Sequence, residues 1–436
     1  MIDGAGDSTS AIAAVSLPRP SGRSAARTVA IAIAFGFNGN LSSLAEDWPQ
    51  WRGPARNGVS LEKKWIEKWP HDSELKPAWR RAVGKGHSGI VVRGELAYTA
   101  GWDGEREHVI CLDVGTGEVR WTHSYPSGMI VQWPGPRATP TIDGDYVFML
   151  GQHGELSALE AKSGKVRWKK TIPKRSQPDA DYGFAWSPLV EGDLLILAAG
   201  RSGLALRKND GSKAWGNDDE LGACASPVPF DWQGRRAVAL VLTDAGRESV
   251  RLVGIEAVTG EELWRSGPWK EKWGAACADL LVHDGSLFVA TAEQYKRCAR
   301  IDFASGTASE RWSGSKLSSY TASAVLLDGF LYGVDKAGIL RCLEWETGTE
   351  KWSQRGFGDF GTLIASDAKL LIQTAKTGEI VIAEATDAGY REIRRLRVFP
   401  EDRETFTAPT LANGRLYARS YAGEVVCYNL NDSVVR

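Results

Sequence analysis

Paired cysteines are missing from this chain. Its six cysteines, Cys111, Cys224, Cys277, Cys298, Cys342 and Cys427, include no C-x-x-C, no C-x-x-C-H and no adjacent pair. Zinc, c-type haem and a vicinal disulfide therefore lack support. An excess of one charge is missing too, with 53 basic against 54 acidic residues and a net charge of −1. A nucleic-acid-binding surface usually shows as a basic excess, so nucleic acid is not an expected partner. No apolar run is long enough for a transmembrane helix, which excludes an integral membrane protein of helical type.

Recognisable catalytic patterns are also absent. The six histidines are His71, His87, His108, His123, His153 and His283. No two stand at H-x-x-H or H-E-x-x-H spacing, and none suits a Ser/His/Asp order. There is neither a P-loop nor a dinucleotide glycine fingerprint, and Gly101-Trp-Asp-Gly104 reads as a turn between strands. The sequence offers no catalytic residue and no metal ligand set.

Glycine and tryptophan are abundant instead, at 48 and 18 of 436 residues. Many glycines suit many tight turns, and many tryptophans suit flat rings packed between repeated sheets. The organising stretch is Cys111-Leu-Asp-Val-Gly-Thr-Gly-Glu-Val-Arg-Trp121. It starts as a strand, turns at Thr116-Gly117 and re-enters a strand that ends on tryptophan. Copies end at Trp168, Trp215, Trp264, Trp312 and Trp352, in steps of 47, 47, 49, 48 and 40 residues. That period matches a four-stranded propeller blade. Cys111, Cys342 and Cys427 share one repeat position and read as small buried apolar residues.

Each unit also has a front half, clearest at Ala138-Thr-Pro-Thr-Ile-Asp-Gly-Asp-Tyr-Val-Phe-Met-Leu150. A first strand opens on a small residue, often with proline, and turns at Asp-Gly, Glu-Gly or Asn-Gly, pairs that tolerate positive φ. Two later units are degenerate. Thr362 to Ile393 has Ile393 roughly where tryptophan is expected, and Phe406 to Leu430 stops after three strands. The missing strand is available at Lys76 to Val83, where Trp79 stands 42 residues before Trp121. The expectation is an all-β, eight-bladed propeller of antiparallel blades, closed by strands from both termini so that no sheet edge is exposed. Seven blades is the alternative.

The N-terminus reads as an export signal. Arg19, Arg23 and Arg27 precede a short apolar run at 28–37, and Ser43-Leu-Ala45 supplies a small-residue cleavage site. The division is then 1–45 signal peptide with an upstream extension, 46–75 an N-terminal cap segment, and 76–436 the propeller. Trp48-Pro-Gln-Trp-Arg-Gly-Pro54 reads as the cap, because terminal repeats need cover. The mature protein is expected to be exported, periplasmic or extracellular, and monomeric.

The repeat resembles the pyrroloquinoline-quinone-like (PQQ-like) β-propeller family, whose docking motif runs Ala-x-Asp-x-x-Thr-Gly-x-x-x-Trp. Cys111 replaces the alanine, while Asp113, Thr116, Gly117 and Trp121 fall on the motif. The leader at 48–54 and Gly135-Pro-Arg-Ala-Thr-Pro140 resemble secreted BamB-like members. The resemblance implies that Asp and Thr-Gly tie the turn while the tryptophan packs on the neighbouring blade. The blade-docking positions would be Asp113, Thr116, Gly117, Trp121, Gly164, Trp168, Trp215, Gly260, Trp264, Gly306, Trp312, Gly348, Trp352 and Trp79.

The resemblance also implies two functional classes. Quinoprotein dehydrogenases hold PQQ and calcium in the central channel, often beside an adjacent cysteine pair. BamB-like proteins bind no cofactor and act as scaffolds. Lacking that cysteine pair and a visible calcium constellation, this chain reads first as a non-catalytic scaffold for a protein or envelope component, with no cofactor. A PQQ-dependent oxidoreductase using calcium is the second reading. A carbohydrate- or polymer-binding module using exposed tryptophans such as Trp102 and Trp232 is the third. A ligand or partner site should lie where first strands begin around the channel mouth, at His87, Trp133, Arg137, Trp186 and Tyr320. Arg137 and Trp186 would suit an anionic or aromatic ligand.

Overall fold

A computed structural model describes residues 46–431, except 68, 70–74, 130–131, 174–181, 201, 218–223, 244–247, 271–276, 292–295 and 401–403. The expected export signal lies outside the described residues. The rest is an eight-bladed β-propeller, one sheet per blade.

The first blade shows the plan. Strands β3 (Val91–Arg93), β4 (Leu96–Trp102), β5 (Arg106–Asp113) and β6 (Val119–Pro126) follow one another from the axis outward. The inner three are almost wholly buried, whereas β6 is largely exposed. Inner strands must satisfy two neighbouring blades, so they are short, small-residued and apolar. Blades two to six repeat the plan. Blade seven comprises β27 (Thr362–Ser366) to β30 (Glu392–Arg397), with β1 (Val59–Ser60) added in parallel beside β27. Blade eight takes β31 (Thr410–Ala412), β32 (Arg415–Arg419) and β33 (Glu424–Asn429) from the C-terminus, and its outer strand is β2 (Trp79–Ala82). Trp79 pairs with Cys427 as Trp121 pairs with Cys111, so the N-terminal strand closes the ring in the repeat's own register.

The blades dock through their tryptophans. Trp79, Trp121, Trp168, Trp215, Trp312 and Trp352 each donate Nε1–H to a backbone carbonyl of the following blade, at 2.7–3.0 Å. Five of these rings lie against the glycine of the next Thr-Gly-type turn: Trp79 on Gly117, Trp121 on Gly164, Trp168 on Gly211, Trp215 on Gly260 and Trp312 on Gly348. A Cβ there would come within 2.5–2.8 Å of the ring, and φ is near +70°, so only glycine fits. Within the first turn, Asp113 Oδ1 accepts from the Gly115 and Thr116 amides and from the Thr116 hydroxyl, while Oδ2 takes Arg120.

Two docking positions differ from expectation. Gly306 has open space beside it, and Trp264 stacks instead on Phe303, with ring centroids 4.6 Å apart. The 301–312 copy carries two extra residues in its turn, which moves the glycine away from the seam. In blade seven the strand register puts Arg394, opposite Ile382, at the tryptophan position; Ile393 is one residue off. Trp102 and Trp232, expected exposed, are buried. Trp102 donates to Ser127 O, and Trp232 stacks on Phe303.

Candidate functional site: the plugged channel and its mouth

The first strands run from the mouth of the channel to the Asp-Gly-type turns on the opposite face. At or just before the start of each first strand stands one equivalent residue per blade: Gly89, Thr139, Ser187, Ser226, Asp279, Ser323, Thr362 and Ala408. Six consecutive blades are linked there by five copies of one bond. Gly89 N donates to Thr139 Oγ1, Thr139 N to Ser187 Oγ, Ser187 N to Ser226 Oγ, Ser226 N to Asp279 Oδ1, and Asp279 N to Ser323 Oγ. Small hydroxyl residues at strand starts are thus explained: each closes a backbone amide that no ladder reaches. Asp279 is the one carboxylate in this ring. Burial, opposed by Arg52, raises its pKa.

The channel behind this ring is filled by the chain's own leader. Trp48 bridges Val92 of blade one, while Asp47 accepts from Gly94 N and Asn413 on the turn face. The leader then enters the axis. Trp51 Nε1 donates to Asp279 Oδ2 at 2.5 Å. Arg52 donates to Ala324 O in blade six. Arg56 donates to Ser187 O, Pro188 O and Pro227 O in blades three and four. Both arginines adopt left-handed backbone, at φ +62° and +52°. Such conformations cost on the order of 1 kcal/mol each and persist where surrounding bonds over-determine them. Burial lowers both guanidinium pKa values to about 10, opposed by the Asp279 charge, so both remain cationic at neutral pH. The segment expected as a cap therefore places Trp51, Arg52 and Arg56 in the channel. Beside it an axial cavity of only about 20 Å³ remains, room for about one water.

Above the plug lies a cavity of about 320 Å³. Trp51 and Asp279 form its floor. Its rim takes one residue from each blade, two positions before the hydroxyl ring: His87, Arg137, Ala185, Cys224, Cys277, Thr321, Phe360 and Phe406. Trp133, Tyr182, Tyr320 and Lys336 complete the wall. Four of the five residues expected at the mouth, His87, Trp133, Arg137 and Tyr320, thus meet around one cavity. Trp186 does not line it. The ring is wholly buried in the core and packs edge-on against Phe184. Sequence reasoning missed Phe360, Phe406 and the floor. Counting two residues back from each small strand-start residue would have found the rim.

One side of the cavity is aromatic. Phe406 lies about 5 Å, between ring centroids, from His87, Trp133 and Phe360, and Tyr320 follows at 6.3 Å from Phe360. The other side is cationic. Arg137 lies over the Tyr182 ring at 5.7 Å, and Lys336 over Tyr320 at 5.3 Å. Arg137 Nη2 donates to Gln132 O and Trp133 O, whereas Nη1 is buried without a hydrogen-bond partner. Thr321 Oγ1 is likewise buried and unpaired. Burial and the adjacent Arg137 charge push the His87 pKa well below its ordinary value, so its imidazole is neutral, with Nε2 3.4 Å from Trp133 O.

The model for the outer membrane protein assembly factor BamB family matches residues 105–354. The chain belongs to that family. Its propeller fold is shared with solved structures at low sequence identity. BamB from Moraxella catarrhalis is 18% identical with a TM-score of 0.59, covering 82% of this chain and 98% of that one. Quinohemoprotein alcohol dehydrogenase from Comamonas testosteroni is 12% identical with a TM-score of 0.67, covering 88% and 80%. A europium-containing methanol dehydrogenase is 12% identical with a TM-score of 0.60, covering 86% and 89%. No curated protein sequence matches the chain. The same fold serves BamB and alcohol or methanol dehydrogenases, so fold alone does not decide function.

The channel of this chain does not supply the oxygen ligands that calcium beside a quinone would need. Below the mouth cavity, Arg52, Arg56 and Trp51 occupy the axis, and the space left there holds about one water. Calcium takes about six to eight oxygen ligands. Among the described residues no cluster of three or more His, Cys, Asp or Glu could hold a metal ion. Asp279, the carboxylate that faces the axis, already binds Trp51 and Ser226. Among the described residues no helix is long and apolar enough to cross a membrane.

Proposed function

We propose that this chain is an exported, non-catalytic scaffold that binds another protein or an envelope component through the mouth face of its propeller. The observation that carries the reading is the plug: the leader fills the axis with Trp51, Arg52 and Arg56. What remains for recognition is the mouth, where His87, Trp133, Arg137 and Tyr320 meet. BamB-family membership supports a binding role. The half-buried, neutral His87 and the engaged Asp279 make poor general acids or bases.

The division of the chain follows the same reading: a signal at 1–45, a leader at 46–75 that caps and plugs, and a monomeric propeller at 76–436. N-terminal sequencing of the mature protein should start near Glu46. The carbohydrate reading loses its motivation, because Trp102 and Trp232 are buried.

Photo-crosslinking in the native host tests the binding role. A benzoylphenylalanine replacing Trp133, which is 38% exposed at the rim, should give a discrete adduct to an envelope component. The same group replacing Val258, on the exposed turn between β17 (Ser249–Glu256) and β18 (Glu262–Lys270), should not. Equal or absent labelling from both positions would sink the reading.

A further inference from the structure

We infer that Ser124, on the outer wall of the first blade, is an activated nucleophile that accepts an acyl or phosphonyl group. His108 is its base, and Asp103 is the positioning residue behind that base. The inference goes beyond the scaffold reading and uses neither the mouth nor the channel. Ser124 Oγ lies 2.7 Å from His108 Nδ1, and His108 Nε2 lies 2.9 Å from Asp103 Oδ2. A nucleophile, a base and an orienting carboxylate work together at such distances. The fold assembles the three locally. His108 in β5 stands directly opposite Ser124 in β6, so both side chains emerge on one face of the sheet. Asp103 sits in the turn between β4 and β5, where its Oδ1 accepts from the Glu105 and Arg106 amides.

Those two amides, with the bond from His108, hold the Asp103 carboxyl down at about 2, so it is ionised at neutral pH. An ionised carboxylate only accepts, so His108 Nε2 carries the hydrogen between them. The neutral imidazole then has its lone pair on Nδ1, and the Ser124 hydroxyl donates to it. A cross-strand bond that only fastened the hairpin would need Ser124 and His108 alone. Asp103 fixes the tautomer in which His108 can take a proton. Arg106 Nη2 donates to Ser124 O at 2.9 Å, which puts a cation beside the residue where negative charge would develop. Ser124 and His108 are half-buried, while Asp103 and Arg106 are exposed, so a small electrophile reaches the site from solvent. With an ester, the Ser124 Oγ–H proton passes to His108 Nδ1 as Oγ bonds the carbonyl carbon. The bond from that carbon to the leaving oxygen breaks, and that oxygen takes the proton from His108. The products are acyl-Ser124 and an alcohol, and nothing is oxidised or reduced.

Labelling of the full chain with a fluorophosphonate, which loses fluoride to the same nucleophile, tests this by peptide mass spectrometry. Ser124 should label at least about a hundredfold faster than Ser353, an exposed serine on the outer strand β26 (Glu350–Arg355). His108→Gln, which removes the base, should slow Ser124 labelling by about a hundredfold or more. Asp103→Asn keeps the side chain's shape but no longer fixes the tautomer, and should slow it by at least about tenfold. A purely structural bond would leave Ser124 no more reactive than Ser353. Ser124 labelled no faster than Ser353, or labelled at the parent rate in either variant, would overturn the assignment. Neither variant touches Trp133, so the crosslink there tests the scaffold reading separately.

Discussion

Trp51 Nε1 and Asp279 Oδ2, 228 residues apart in sequence, lie 2.5 Å apart on the propeller axis. The bond joins the leader to the residue just ahead of the fifth blade's inner strand, and both side chains line the mouth cavity. Asp279 also closes the Ser226 amide and supplies negative charge to the buried Arg52 and Arg56. Removing it leaves two donors unpaired and two buried cations without that partner. Asp279→Ala should cost about 3–5 kcal/mol. Trp51→Phe, which deletes only the indole donor, should cost about 1–3 kcal/mol. Urea unfolding midpoints compare the two, and Trp51→Phe costing as much as Asp279→Ala would contradict this division of roles.

The seam glycines are separable by space. Gly164 and Gly306 both have positive φ, +69° and +87°, so alanine at either costs about 1–2 kcal/mol of backbone strain. Only at Gly164 would the added methyl fall 2.5 Å from Trp121. Gly164→Ala should therefore cost a further amount of about 1–3 kcal/mol. Thermal melts of the two variants test it, and equal losses would refute the docking account.

Trp168 and Trp264 occupy the same repeat position with different polar bookkeeping. Trp168 donates to Lys208 O at 2.8 Å, while Trp264 Nε1 is buried without a partner. Trp168→Phe should lose about 0.5–1.5 kcal/mol for its hydrogen bond in addition to the loss of ring area. Trp264→Phe loses ring area and removes an unsatisfied donor, so it should be the milder change in the same melts.

The sequence made the ring legible because tryptophan spacing reports blade size directly. The Trp79 offset likewise reported closure. Three features were hidden for physical reasons. Pleating turns successive side chains to opposite faces, so a one-residue error in phase put Trp186 in the core while its neighbour Ala185 lines the cavity. The plug was invisible because Arg52 and Arg56 bind backbone carbonyls, and any residue offers a carbonyl. Trp102 and Trp232 follow strand positions that look solvent-facing until the adjoining loop and blade cover them.

Glu107 should make stability depend on pH. It is fully buried in β5, accepting from Tyr125 and the Gln152 amide, near Ser127 and the like-charged Glu155. Burial raises its pKa to about 7 from 4.5. The native state then holds a proton that the unfolded chain releases, so stability falls as pH rises from about 4.5 to 7 and levels off above. The slope corresponds to about 1.4 kcal/mol per unit of displacement. Glu107→Gln should flatten the profile in that window. A variant profile as steep as the parent's would place the pH dependence elsewhere.

The central proposal is that the chain's own leader fills the channel axis and leaves the mouth for binding rather than for redox chemistry. Its most direct test is a dehydrogenase assay of the mature, full-length chain with PQQ, calcium, primary alcohols or sugars and an artificial electron acceptor. The account predicts no acceptor reduction above the protein-free control. Sustained, substrate-dependent reduction stoichiometric with bound quinone would contradict it.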